Sequence, residues 1–121
     1  MSDFKVIDLP TFLDSRGNLT VMERVLPFEI RRVFWITHAD YMLRGGHRHH
    51  NTRQALIAVL GEVIVSMNDG KKSRDVLLSL QNQCLIVEPE DWHTMSFGPG
   101  SALLVFASHL YDIKDYIDAE Y

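Results

Sequence analysis

Cysteine is almost absent from this 121-residue chain: Cys84 stands alone, so no internal disulfide can form and the sequence suits a reducing compartment. Its plain reading is a small buried apolar side chain in the run Cys84-Leu85-Ile86-Val87, because no cationic neighbours are in place to make a reactive thiolate. No apolar run approaches the ~20 residues needed to cross a bilayer. The opening Met1-Ser2-Asp3-Phe4-Lys5 lacks signal-peptide character. Together these absences point to the cytoplasm. Basic excess is missing too. The formal charge is −4, which argues against a nucleic-acid protein but leaves room for an anionic small ligand held by a few clustered arginines. There is no repeat, low-complexity tract or linker, and the length fits one domain spanning 1–121.

What the chain does contain is a series of short apolar runs. Hydrophobic residues make up 46%, and they recur as Asn18 to Glu23, Arg32 to Thr37, Ala55 to Leu60, Val63 to Val65, Val76 to Leu80, Cys84 to Val87 and Ala102 to Ala107. Spacing of about 8–12 residues predicts an all-β sandwich or barrel. Asp69-Gly70 marks a hairpin turn, and Lys71-Lys72-Ser73-Arg74 reads as its solvated end. Pro10, Pro27, Pro89 and Pro99 all fall between strands, where a missing N–H is tolerated. Asp112 is a cap for a short C-terminal helix through Ile113, Tyr116 and Ile117, with Asp115 in its first turn. Phe4, Phe12, Phe28, Phe97 and Phe106 are expected in the core, with Met42, Met67 and Met95 filling gaps. Two strands, Ala55-Leu56-Ile57-Ala58-Val59-Leu60 and Leu103-Leu104-Val105-Phe106, are apolar on both faces. The face turned away from the core therefore needs a second sheet or a second copy, and a homodimer is expected.

Six histidines are present, at positions 38, 47, 49, 50, 93 and 109. In an extended Arg44-Gly45-Gly46-His47-Arg48-His49-His50, His47 and His49 point to one face and His50 to the other. His38 and His109 read as surface or locally satisfied groups. His47-x-His49 followed by Gln54 and Gly61, then by Pro89-Glu90-Asp91-Trp92-His93, resembles the two half-motifs of cupins, which implies a double-stranded β-helix (jelly-roll) barrel with a short C-terminal helix. His47, His49 and His93 in such a mouth suit one of two chemistries. Three imidazoles can hold a transition metal, but Gln54 replaces the acidic ligand, so metal-free acid/base use is favoured. An imidazole with a pKa of about 6.5 takes and returns protons near neutrality. One member of a pair can remove a proton beside a carbonyl while the other serves the developing enolate.

The chain further resembles the WxcM-like cupins that act as nucleotide-sugar 3,4-ketoisomerases on dTDP-4-keto-6-deoxyglucose. The likeness is carried by Asp14-Ser15-Arg16-Gly17-Asn18-Leu19, Pro27-Phe28-Glu29-Ile30-Arg31-Arg32-Val33, Arg44-Gly45-Gly46-His47-Arg48-His49, Val87 to Met95, and Ser108-His109-Leu110-Tyr111-Asp112 running on to Asp115-Tyr116-Ile117. It implies an isomerase without a metal or other cofactor, usually dimeric, serving deoxysugar and surface-glycan (lipopolysaccharide O-antigen) synthesis. In that reading His47 and His49 are the catalytic pair. Arg44 and Arg16 are candidates for the diphosphate or the enediolate. His93 and Gln54 line the substrate pocket, and Trp92 is packing. The chain departs from the family pattern at Phe34-Trp35, where a tyrosine pair is usual. It departs also at His50 (often lysine), at Arg53 (commonly acidic) and at Asp118 (often arginine). Two other functions stay open: a metal-dependent cupin enzyme using His47, His49 and His93, and a non-catalytic nucleotide-sugar-binding cupin.

Overall fold

The computed structural model describes residues 2–121; Met1 of the N-terminal stretch read above lies outside them. The strands run β1 (Val6–Asp8), β2 (Thr11–Asp14), β3 (Gly17–Thr20), β4 (Arg32–Thr37), β5 (Leu43–His49), β6 (Gln54–Leu60), β7 (Val63–Asn68), β8 (Ser73–Leu78), β9 (Gln83–Val87), β10 (Trp92–Phe97), β11 (Ala102–Ala107) and β12 (Tyr116–Ile117). All pairings are antiparallel. One five-stranded sheet has the order β1-β9-β6-β11-β4 and the other β12-β5-β10-β7-β8, while β2 and β3 form a separate ribbon. The expected all-β architecture is present, and all four prolines lie in connections.

Alternation along each strand explains the core. On β11 the odd residues Leu103 and Val105 face inward; on β6 the even residues Leu56 and Ala58 do so. They meet Val63, Val65 and Met67 of β7, Val76 and Leu78 of β8, and Met95 and Phe97 of β10 from the opposite sheet. Full burial of a leucine such as Leu56, Leu85 or Leu103, each 0% exposed, is worth about 1.5–3 kcal/mol. The outward residues Ala55, Ile57, Cys84 and Ile86 form a second cluster, roofed by Ile7, Leu9, Met22, Leu26 and Phe28. So the N-terminal segment covers much of the apolar outer face expected from the two-faced strands. Cys84 is buried in this layer, and burial pushes its thiol up to about 11, as expected of an inert side chain.

Three local expectations change. Phe12 and Met42 are 60% and 59% exposed: Phe12 sits on the two-stranded ribbon, whose outer side has no third layer, and Met42 lies in the connection ahead of β5. The C-terminal helix shrinks to one 3-10 turn, Ile113–Asp115. Asp112 does cap it, accepting from the Lys114 N–H at 3.0 Å. The helix stops because Asp115 turns inward to accept from the backbone N–H of Asn51 and Thr52 and from the Thr52 hydroxyl. Tyr116 and Ile117 then pair with His49 and Arg48 on the free edge of β5. At the Asp69-Gly70 turn, Asp69 Oδ1 accepts from the N–H groups of Lys71 and Lys72, while Ser73 and Arg74 already belong to β8. Among the described residues no helix is long and apolar enough to cross a membrane.

Candidate active site

The histidines meet at one mouth of the barrel because two strands bring them into register. His47 on β5 is the direct partner of His93 on β10, and direct partners share a face. His49, two residues on, points the same way. Ring centroids lie 5.2 Å apart for His47–His49, 5.3 Å for His47–His93 and 6.3 Å for His49–His93. Gly45 and Gly46, both at positive φ, sit beside a register shift between His93 and Thr94. Arg44 opposite Met95 and His47 opposite His93 therefore come to the same face, although they are three residues apart.

A third element completes the wall. Tyr116, opposite His49, places its ring 4.7 Å from His47 and 4.8 Å from His49, with Tyr111 5.7 Å beyond. On β4, Phe34 packs on the inter-sheet core. Arg32, two residues before it, lies on the same face, its guanidinium 5.0 Å above the Phe34 ring and 5.6 Å above Tyr111. Of the two positions that usually carry tyrosine, then, Phe34 turns inward and Trp35, 68% exposed, turns out. Phenols are supplied instead from the C-terminal segment. The Trp92 indole N–H donates to the Asp118 carbonyl, clamping that segment.

The electrostatics favour neutral imidazoles. His93 is 1% exposed, and its Nδ1 lies 3.0 Å from the Asp91 carbonyl oxygen. A carbonyl only accepts, so Nδ1 carries the proton and Nε2 keeps its lone pair. Burial, aided by the neighbouring His47, pushes His93 down to about 4. His49 is 3% exposed, and neither ring nitrogen has a partner within the chain among the described residues. Burial first, then His47, His93 and Arg32, bring it to about 4, against a raising pull from Asp115. Burial also lowers His47, opposed by Asp118. Below the mouth, the fully buried Asp91 accepts from the Ser2 hydroxyl (2.8 Å) and the Glu88 N–H (2.9 Å), and burial pushes its carboxyl up to about 6.

These shifts set a pH dependence. His49 and His93 bind protons more weakly folded than unfolded, so stability is lost as pH falls from about 6.5 towards 4. Asp91 has the opposite sign, since its raised value favours the fold as it protonates below about 6. The two histidines outweigh the one carboxyl. A net loss of about 2–3 kcal/mol is expected between pH 7 and pH 5, read as a falling Tm in thermal melts. His49→Gln should flatten the slope, because the unfolded chain then gains one proton fewer. A slope unchanged by His49→Gln would contradict the depressed His49.

His47, His49 and His93 are brought together. Gln54 is 4% exposed and, by alternation, shares the inner face of β6 with Leu56. Arg44 is exposed and forms no ion pair among the described residues. Arg16 is not near the histidines: it lies at the tip of the β2–β3 ribbon, 89% exposed, with its Nη2 2.8 Å from Asp14 Oδ2. Arg53 points away, its fork on both Glu88 oxygens at 2.7 and 3.0 Å. His50 and His38 are exposed, His38 beside the Thr37 hydroxyl and His109 beside that of Ser108. Gln54, a neutral amide and a weaker ligand than a carboxylate, stands where a metal-binding cupin carries its acidic ligand, beside the three grouped imidazoles. Sequence reasoning passed over Arg32, Tyr111 and Tyr116. The alternation Arg32-Phe34-Ile36 was a usable signal for the first, and both tyrosines stand in the C-terminal motif that carries the family likeness.

Two facing antiparallel sheets with a histidine-lined mouth define a cupin. The family model described as FdtA, WxcM-like, C-terminal, matches residues 2–121, and the chain belongs to that family. It is 36% identical over 118 residues to the TDP-4-oxo-6-deoxy-alpha-D-glucose-3,4-oxoisomerase of Aneurinibacillus thermoaerophilus, covering 93% of this chain and 84% of that protein. Among solved structures it is similar to the WlaRB TDP-quinovose 3,4-ketoisomerase of Campylobacter jejuni (35% identity, TM-score 0.92, 98% and 95% of the two chains). It is also similar to the 3,4-ketoisomerase QdtA of Thermoanaerobacterium thermosaccharolyticum, there a histidine-to-asparagine variant in complex with TDP-4-keto-6-deoxyglucose (32% identity, TM-score 0.91, 98% and 90%).

Proposed function

We infer that this protein is a sugar-nucleotide isomerase of the dTDP-4-keto-6-deoxy-D-glucose 3,4-ketoisomerase type, serving deoxysugar biosynthesis. The observation that carries the reading is the neutral, mutually adjacent His47–His49 pair at the mouth of a barrel from this family. The C3–H bond breaks and its proton passes to an imidazole lone pair. The released electrons form a C3=C4 double bond while the C4 carbonyl oxygen gains a proton, giving the enediol. The O3 proton then leaves as C3=O forms, and a proton is delivered to C4. No atom is gained or lost, so no redox partner is required. Neutral imidazoles suit both halves, since one nitrogen accepts while the other donates. Gln54 and His93 frame the sugar, and the unpaired Arg44 is available to the diphosphate.

The test is proton exchange. The protein is incubated with dTDP-4-keto-6-deoxyglucose in deuterated water and the sugar followed by NMR. Deuterium at C3 or C4 with a 3-keto product is expected. A bound nucleotide sugar that never exchanges would replace this reading with the non-catalytic one.

We also propose that the protein is a homodimer in the cytoplasm. The N-terminal segment leaves Val33, Trp35, Val59, Leu60 and Leu19 exposed on and beside the outer face of the first sheet, and a second copy would cover that strip. Sedimentation at micromolar concentration should give a dimer, and Trp35→Lys a monomer with its fold intact. A monomeric native protein would rule the dimer out.

A further inference from the structure

Among the described residues Arg32 has no counter-ion. It sits on the inner face of β4, its Cζ over the Phe34 ring at 5.0 Å from the centroid and over the Tyr111 ring at 5.6 Å. Among the described residues no carboxylate pairs with it, and its Nε is shielded from solvent with no hydrogen-bond acceptor. A buried N–H of a charged group left without an acceptor is costly and marks a place where an acceptor belongs. Its surroundings indicate which acceptor. The guanidinium is joined through Tyr111 and Tyr116 to both His47 and His49. Asp14 ties up Arg16 and Glu88 ties up Arg53, while Arg44 stands out in solvent. Arg44 shares the face of His47 but stands in solvent, whereas Arg32 is packed into the aromatic wall that touches the imidazoles. The isomerisation needs such a group, because removing the C3 proton places negative charge on the C4 oxygen and three neutral imidazoles supply no positive charge to hold it.

We propose that Arg32 is a catalytic residue that hydrogen-bonds the sugar's C4 oxygen and stabilises the enediolate as it forms. The assignment rests on the 3,4-ketoisomerase reading. A planar fork with fixed N–H directions suits an oxyanion whose position is set by the ring, and aromatic packing on Phe34 and Tyr111 holds it in place before substrate arrives. The diphosphate is left to the exposed side of the mouth.

The experiment compares wild type, Arg32→Lys and Arg32→Gln, each first shown to melt cooperatively, by isomerisation kinetics, C3 deuterium exchange and calorimetric titration with TDP. Arg32→Gln should lower kcat and the exchange rate about 10²–10³-fold while TDP affinity stays within about threefold of wild type. Arg32→Lys keeps the charge but loses the fork, and should lower kcat at least about tenfold. The acid limb of the rate profile gives a readout that mere packing would not move: losing the positive charge raises the proton affinity of His49, so the limb shifts to higher pH in Arg32→Gln and stays put in Arg32→Lys. If kcat is unchanged and TDP affinity collapses, Arg32 is a diphosphate clamp and the proposal is wrong. Unchanged kinetics in both variants also overturn it. Failure of the wild type itself to exchange C3 would instead strike at the isomerase assignment.

Discussion

His47→Asn and His49→Asn should each lower kcat about 10²–10⁴-fold, the range for removal of a positioned general acid or base, with TDP affinity little changed. Asparagine keeps a polar group of similar reach but has no titratable nitrogen. The expectation follows from the geometry: the two ring centroids lie 5.2 Å apart, among the described residues no group occupies either nitrogen of His49, and burial holds both in the lone-pair form at neutral pH. Since the two act on one proton inventory, the double variant should be scarcely slower than the worse single variant. Rates of C3 deuterium exchange check both statements. Either single variant retaining a tenth of wild-type turnover would remove that histidine from the mechanism.

Gly45→Ala should cost at least about 3 kcal/mol and about 10 °C in Tm. Gly45 has φ +90°, and an added Cβ would lie 2.8 Å from the His93 carbonyl oxygen and 3.2 Å from the Thr94 Cα. Both obstacles are backbone of the neighbouring strand, which can yield only by opening the β5–β10 ladder. That ladder holds His47 opposite His93, so activity should fall even in the folded fraction. Gly17→Ala is the matched control. Its φ is +130°, but nothing lies within 4 Å of the new methyl, so only backbone strain is paid, about 1–2 kcal/mol. Denaturant melts compare the pair, and equal losses would locate the effect in φ alone and not in the close strand contact.

Much of this was legible in the residues. Period-two alternation is a local property, so Leu103 and Val105 on β11, or Val63, Val65 and Met67 on β7, declare a buried face wherever the strand lies. The same rule put His47 and His49 on one side and His50 on the other, and the linked motifs announced the family. Tertiary structure decided the rest. Asp112 and the residues after it read locally as a helix, but the open edge of β5 offered Tyr116 and Ile117 backbone partners, and Asp115 was drawn to Asn51 and Thr52. Pairing across 67 residues (116 − 49) placed the Tyr116 ring against both histidines, a contact that no local pattern encodes. Arg16 and Arg32 look alike in the sequence, yet one lies on a ribbon tip beside Asp14 and the other stands unpaired at the mouth. The sequence by itself determined which face of each strand is apolar and which residue types can move protons. Only the order of strands in the sheets decided which of those residues meet, because a side chain's direction follows from its own backbone while its neighbours follow from everyone else's.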